Sequence, residues 1–94
     1  MPPEEFRRLA HEVADWMADY LSGVGSLPVL AQVQPGDVRR RLPAAPPEHG
    51  EDPELALADF RDIVLPGITH WNSPAFFAYF AISGSGPGIL GEML

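Results

Sequence analysis

The stretch from residue 70 to residue 80 concentrates the side chains that could bind a small organic molecule. Five aromatic side chains lie within ten consecutive positions: Trp71, Phe76, Phe77, Tyr79 and Phe80. From residue 63 to residue 91 there is no Asp, Glu, Lys or Arg, so His70 and the Tyr79 phenol are the only titratable side chains there. Small-molecule pockets often combine an apolar wall with a few hydrogen-bonding groups, such as those of Trp71 and Tyr79. Composition alone leaves a pocket wall and a structural core open as alternatives.

His70 has the side chain of a general base, but its sequence context does not favour that role. No serine–histidine–acid spacing and no metal-ligand spacing surrounds it, and His11 and His49 fall on a predicted helix and a connector. A lone histidine in an apolar stretch is more often a structural hydrogen-bonding residue. We therefore predict a structural role for His70 and no metal site in this segment.

The basic residues restrict the chemistry further. All six are arginines, and the chain contains no lysine. A Schiff base with a carbonyl cofactor needs an amine nucleophile, so these residues alone cannot form one. The run Arg39-Arg40-Arg41 predicts a solvated face or ion pairs with acidic neighbours, because a net charge of −7 opposes binding to nucleic acid.

The segment from Gly86 to Gly91 matches the letters of the G-x-G-x-x-G dinucleotide motif. A dinucleotide site also needs a βαβ unit and a later acidic residue, and Pro87 lacks an amide hydrogen that a pyrophosphate would use. We expect no such site here. The turn from Ser83 to Gly86 is either a simple entry to a helix or a set of amide donors for a carboxylate or phosphate.

Composition also excludes several protein classes. The chain has no cysteine, which excludes a disulfide framework and a thiolate metal site. It has no run of 18 apolar residues, and its first residues lack the features of a signal peptide. These features predict a cytoplasmic protein that binds neither membranes nor nucleic acid.

The hydrophobic pattern predicts a mainly α-helical segment. Apolar residues at helical spacing predict a first helix over residues 3–22, with Gly23 as its stop. Asp37 is a candidate cap for a short helix over 38–42, and Asp52 caps a third helix that runs to about residue 65 and buries Leu57, Phe60, Ile63 and Val64. Residues 76–80 are expected to be extended or nearly so. A fourth helix is expected to begin near Pro87 and to be still running at Leu94.

The connectors between these helices are long and rich in proline. Residues 24–34 and 43–52 are each about ten residues long, longer than in most self-contained helical bundles. They predict an extended arm rather than a compact ball. The last residues carry no helix cap and no polar tail, so we expect the chain to be a truncated piece of a larger protein.

Several motifs resemble the N-terminal region of the group II pyridoxal-phosphate decarboxylases, which include the aromatic-L-amino-acid, tyrosine, tryptophan and histidine decarboxylases. The most specific part is His-Trp-x-x-Pro at residues 70–74 followed by Phe-Phe-Ala-Tyr-Phe at residues 76–80. Glu5-Phe6-Arg7-Arg8, Val33-Gln34-Pro35-Gly36, Arg41-Leu42-Pro43 and Gly88-Ile89-Leu90-Gly91-Glu92-Met93-Leu94 fall in family order. The resemblance covers nearly the whole chain.

This resemblance implies an α/β enzyme of fold type I, similar to aspartate aminotransferase, in which an N-terminal helical arm wraps around the other subunit of a homodimer. Residues 1–66 would be the dimerisation arm, and residues 67–94 would be the pocket loop and the start of the next helix. Pyridoxal 5'-phosphate would be bound by residues beyond Leu94. The expected substrate-binding positions are Trp71, Tyr79, Phe80, Ala81, Ile82 and Ser83, and the expected substrate is an L-amino acid.

Positions 81 and 82 depart from the pattern of the animal and plant aromatic enzymes. Those enzymes commonly have proline and then a hydroxyl residue, where this chain has Ala81 and Ile82, followed by Ser83. The form Phe-Ala-Ile-Ser-Gly-Ser-Gly-Pro-Gly resembles the bacterial branch, whose substrates are less uniform.

Two other functions remain open at the level of sequence. One is a free-standing helical module that binds a partner protein through Trp16, Tyr20 and the aromatic stretch. The other keeps the decarboxylase fold but catalyses oxidative deamination to an aldehyde. Nothing before residue 94 separates this second alternative from decarboxylation.

Overall fold

The computed structural model describes residues 1–80 and 84–94, and this part contains helices and loops but no strand. The helices are α1 (Pro3–Gly23), α2 (Asp37–Arg41), α3 (Pro53–Asp59) and α4 (Gly86–Glu92). A 3-10 turn at Val24–Ser26 follows α1. A π turn at Phe60–Val64 and a 3-10 turn at Leu65–Gly67 extend α3. The prediction of a mainly α-helical segment is confirmed.

Helix α1 forms where the apolar pattern predicted it. A proline occupies its first turn, and Glu4 and Glu5 lie near the positive end of the helix dipole. Leu9 on its apolar face is buried, whereas Phe6 on the same face is 65% exposed. Part of the apolar face of α1 is therefore not covered by these 94 residues.

Helix α2 begins one residue earlier than predicted, and the expected cap at Asp37 is wrong. Asp37 is the first helical residue, and it follows Gly36, whose φ of 91° is left-handed. The Asp37 carboxylate instead accepts a hydrogen bond from the Gln34 amide at 2.7 Å and pairs with Arg40.

Arg41 donates to the carbonyl oxygen of Asp62 at 2.7 Å. The arginine run thus makes local ion pairs and contacts, as its sequence predicted.

Helix α3 has the predicted cap, because Asp52 accepts a hydrogen bond from the Glu54 amide at 3.0 Å. The helical turns end at Gly67, close to the predicted end near residue 65. Gly67 lies against Val38 of α2 so closely that a Cβ there would clash with the valine side chain. Ile63 is buried, whereas Leu57, Phe60 and Val64 are only half-buried. The prediction that these four side chains are buried is therefore confirmed only for Ile63.

Two predictions near the C-terminus are wrong. Residues 76–80 are not extended, since the chain bends at Ala78 and Tyr79. Helix α4 ends at Glu92, where Met93 is its C-cap, instead of running on to Leu94. The Ser85 hydroxyl accepts a hydrogen bond from the Gly88 amide at 3.2 Å, so Ser85 caps this helix.

Helix α1 packs against the π turn that follows α3. The Trp16 ring meets the edge of Phe60 with centroids 5.1 Å apart, and an ion pair of 3.1 Å joins Arg61 to Glu12. Among the described residues the buried apolar side chains are Leu9, Val24 and Ile63.

The overall dimensions show how little of the surface is covered. The Cα radius of gyration is 15.5 Å, against about 12 Å for a compact chain of this length. The accessible surface is 7554 Å², against about 5,300 Å² for a compact protein of this mass. Both values support the prediction that the chain is not a compact ball. No helix in the described ranges is long and apolar enough to cross a lipid bilayer.

Candidate functional site

Three aromatic rings from the loop between the π-extended α3 and α4 stack on one another. The Trp71 centroid lies 5.7 Å from that of Phe76 and 5.9 Å from that of Tyr79, and the Phe76 and Tyr79 centroids are 6.2 Å apart. We refer to Trp71, Phe76 and Tyr79 as the aromatic cluster. Trp71 is 53% exposed and Tyr79 is 82% exposed, so the cluster presents broad apolar faces to its surroundings. These centroid distances are in the range favoured by aromatic pairs.

A compact turn holds the first half of this loop. The His70 carbonyl oxygen accepts from the Ser73 amide at 3.0 Å, and the Ser73 carbonyl oxygen accepts from the Phe76 amide at 3.0 Å. The Ser73 hydroxyl oxygen also accepts from the Ala75 amide at 3.3 Å, and Ser73 is buried. These local bonds bring Phe76 back over Trp71.

The backbone at Tyr79 brings its ring to the cluster. Its φ of 62° lies in the left-handed region, which costs a non-glycine residue about 1–3 kcal/mol. The Asn72 side-chain oxygen accepts a hydrogen bond from the Gly84 amide at 3.4 Å and joins the turn to the residues before α4. A left-handed tyrosine in an aromatic site is the kind of constrained geometry that marks functional loops.

His70 has a structural role here, as the sequence predicted. Its side chain is buried, and its Nδ1 atom lies 2.8 Å from the hydroxyl oxygen of Tyr20 on α1. Burial raises the pKa of Tyr20 above its ordinary value of 10.0, so the phenol keeps its proton at neutral pH. When the imidazole carries its proton on Nε2, the phenol donates to Nδ1. The sequence suggested Tyr20 as part of a partner-binding module, and no local pattern identified it as the partner of His70.

The structure brings together only some of the predicted substrate-binding residues. Trp71 and Tyr79 meet in the aromatic cluster, while Phe80 is fully exposed next to it. Phe76 belongs to the cluster but was not among the predicted site residues. The predictions for Ala81, Ile82 and Ser83 fall outside the described residues.

Two apolar depressions lie beside the aromatic loop and beside helix α1. An apolar cleft of about 250 Å³ lies behind the loop. Its lining residues are Leu27, Pro28, Leu30, Ala31, Gln32, Leu65, Pro66, Ile68 and His70. A more open groove of about 570 Å³ runs between α1 and α3, and we call it the α1–α3 groove. Its lining residues are Met1, Phe6, Leu9, Ala10, Val13, Pro53, Ala56, Leu57, Phe60 and Met93.

Comparison with known proteins identifies the family. The family model described as the pyridoxal-dependent decarboxylase conserved domain matches residues 35–94. A tyrosine decarboxylase of Papaver somniferum is 48% identical over 94 residues, which cover 100% of this chain and 18% of that protein. A phenylacetaldehyde synthase of Petunia hybrida is 50% identical, with 100% of this chain and 19% of that protein covered.

A solved structure also has a backbone conformation similar to that of this chain. The crystal structure of Oryza sativa TDC with PLP and tryptamine superposes with a TM-score of 0.89 at 35% identity, covering 99% of this chain and 20% of that one. This chain therefore spans about a fifth of the length of the relatives it matches. These relatives come from plants, so the comparisons do not support the bacterial branch suggested by residues 81–83. The family match covers more than half of the sequence, and the chain belongs to the pyridoxal-dependent decarboxylase family.

Proposed function

We propose that these residues are the N-terminal arm and part of the substrate-pocket wall of a pyridoxal-phosphate-dependent L-amino-acid decarboxylase of fold type I that acts on aromatic substrates. The observation that carries this proposal is the exposed aromatic cluster, in a chain that belongs to the decarboxylase family. The named relatives and the rice structure with tryptamine support an aromatic substrate.

The 94 residues do not fit the cofactor itself. They include no lysine to form a Schiff base. We therefore assign pyridoxal 5'-phosphate to residues that follow Leu94 in the complete enzyme, and we place no catalytic residue in this segment.

The role assigned to the aromatic cluster is to bind and orient the substrate side chain. Aromatic rings attract a further ring in stacked or edge-to-face geometry at centroid distances of about 4.5–7 Å. The exposed faces of Trp71 and Tyr79 offer that contact, and the Tyr79 phenol adds one hydrogen-bonding group. Phe80 extends the wall and helps to exclude water. We assign Ala81, Ile82 and Ser83 to the same wall from their sequence positions.

We assign residues 1–66 to dimerisation and residues 67–94 to the pocket loop and the start of the next helix. The α1–α3 groove supports the dimerisation role of the first range because most of its lining residues lie there and Phe6 on its rim is 65% exposed. A second copy of the enzyme is the proposed cover for this surface. A net charge of −7 supports a protein that binds neither nucleic acid nor membrane, and we place it in the cytoplasm.

A second candidate is the formation of an aldehyde by oxidative deamination on the same fold. The 50% identity to a phenylacetaldehyde synthase supports this candidate about as well as the 48% identity to a tyrosine decarboxylase supports the first. A free-standing interaction module has weaker support, because the matched relatives are about five times longer than this chain.

A product assay on the complete enzyme tests the proposal. We expect an aromatic L-amino acid to yield carbon dioxide and the corresponding amine in equal amounts, without consumption of oxygen. L-Glutamate is the control substrate, and its kcat/KM should be at least 100-fold lower because an apolar wall does not pair its carboxylate. Aldehyde and ammonia formed with oxygen uptake would identify the second candidate. Absence of carbon dioxide release from every amino acid would contradict the proposal.

A further inference from the structure

One side-chain hydrogen bond joins the long helix α1 to the aromatic loop. The Tyr20 hydroxyl oxygen and His70 Nδ1 are 2.8 Å apart, although the two residues are 50 positions apart in sequence. Their ring centroids are 5.6 Å apart. The contact is thus both a hydrogen bond and a packing contact between two distant parts of the chain.

The position of Trp71 depends on how His70 is held. The His70 ring is buried, its amide donates to the Val29 carbonyl oxygen at 3.0 Å, and its carbonyl oxygen accepts from the Ser73 amide at 3.0 Å. Trp71 follows directly in the chain and is 53% exposed. Among the described residues its stacking partners belong to the same loop, so His70 is one of the contacts that set its orientation relative to the helices, together with the approach of Pro74 to Gly25.

The Tyr20 ring is held in place by a neighbouring ring of helix α1. Its ring stacks on Trp16 with centroids 5.4 Å apart, and Trp16 meets the edge of Phe60 at 5.1 Å. A continuous row of rings therefore runs from the packed helices to His70. The Tyr20 hydroxyl supplies the hydrogen bond at the end of that row.

We propose that Tyr20 is a positioning residue for substrate binding: through its hydrogen bond to His70 it fixes the orientation of Trp71 in the pocket wall. This inference rests on the proposed function of the aromatic cluster. Loss of the hydroxyl would reduce the fraction of enzyme whose loop is ready to bind, and apparent affinity falls in proportion to that fraction.

The kinetic test uses Tyr20→Phe in the complete enzyme, because this change removes one hydroxyl and keeps the ring. A net hydrogen bond corresponds to about a two- to tenfold change in population, so we expect KM to rise about two- to tenfold with kcat unchanged within twofold. Ser22→Ala is the matched control. It deletes an exposed hydroxyl of α1 that bonds only within the helix, to the Asp19 carbonyl oxygen, and KM should not change.

The same substitution in an enzyme that already carries Trp71→Phe shows whether Tyr20 acts through Trp71. In a Trp71→Phe enzyme, Tyr20→Phe should change KM less than in the wild type, because coupled residues are not additive. An unchanged KM in the wild-type background, or an equal rise in both backgrounds, would overturn the proposal.

A spectroscopic measurement separates this proposal from the proposed function. The complete enzyme is labelled with 5-fluorotryptophan, and the Trp71 resonance is assigned by its loss in Trp71→Phe. Tyr20→Phe should shift or broaden this fluorine resonance, whereas Ser22→Ala should not. A shift in an enzyme that decarboxylates no amino acid would support the loop coupling while the proposed function fails. An unmoved resonance in Tyr20→Phe would overturn the coupling whatever the enzyme catalyses.

Discussion

Tyr79→Ala in the complete enzyme is expected to lower kcat/KM at least tenfold while the absorbance of the bound cofactor persists. The substitution removes a ring that contacts both Trp71 and Phe76 and is itself 82% exposed for contact with a ligand. A tenfold change corresponds to about 1.4 kcal/mol, and one aromatic pair is worth about 0.5–1.5 kcal/mol beyond its buried area. Steady-state kinetics and an absorbance spectrum of the purified variant measure the two quantities.

Two control variants identify the cause of such a loss. Tyr79→Phe keeps the ring, so a milder effect would assign most of the loss to stacking rather than to the phenol. Leu55→Ala truncates an exposed apolar side chain outside both the aromatic cluster and the α1–α3 groove, and its kcat/KM should remain within twofold of the wild type. Unchanged kinetics in Tyr79→Ala would remove Tyr79 from the site.

Deletion of residues 1–24 should convert the proposed homodimer into monomer or aggregate. It removes α1 and with it one wall of the α1–α3 groove, and it exposes Phe60 of the π turn, which packs against Trp16 of α1. Size-exclusion chromatography with light scattering gives the mass of the species present. A stable and active dimer lacking these residues would contradict the assignment of the arm.

A point variant tests the same surface without removing the helix. Phe6 is 65% exposed, so Phe6→Glu disturbs little of the packing within the chain. Burying one Phe side chain is worth about 1.5–3 kcal/mol, and the variant should raise the dimer dissociation constant at least tenfold. Arg7→Ala is the control, because Arg7 pairs only with the neighbouring Glu4 on the exposed side, and such pairs contribute about 0–1 kcal/mol.

Local sequence signals predicted the helices well, since each depends on neighbouring residues. The apolar spacing of α1 and the Asp52-Pro53 start of α3 are examples. Asp37 failed as a cap because Gly36, with a left-handed φ, took the N-cap position and left the carboxylate to bond Gln34. From sequence alone, an acidic residue that caps a helix cannot be distinguished from an acidic residue in the first helical turn.

The geometry of the candidate site was less accessible to sequence. The aromatic residues at 76–80 have high strand propensity. The described part of the chain provides no partner strand, so this segment forms a bent loop in which the rings stack instead of a strand. The contact between Trp71 and Tyr79 depends on the left-handed backbone of Tyr79. The Tyr20–His70 bond joins residues 50 positions apart, and no periodicity encodes such a contact.

A crystal structure of the complete enzyme with an aromatic amine bound tests the central claim most directly. We predict that the ligand ring lies within contact distance, about 4.5 Å, of the aromatic cluster and that a second subunit covers the α1–α3 groove. A ligand bound elsewhere, with Trp71 and Tyr79 buried against protein and out of its reach, would contradict the account.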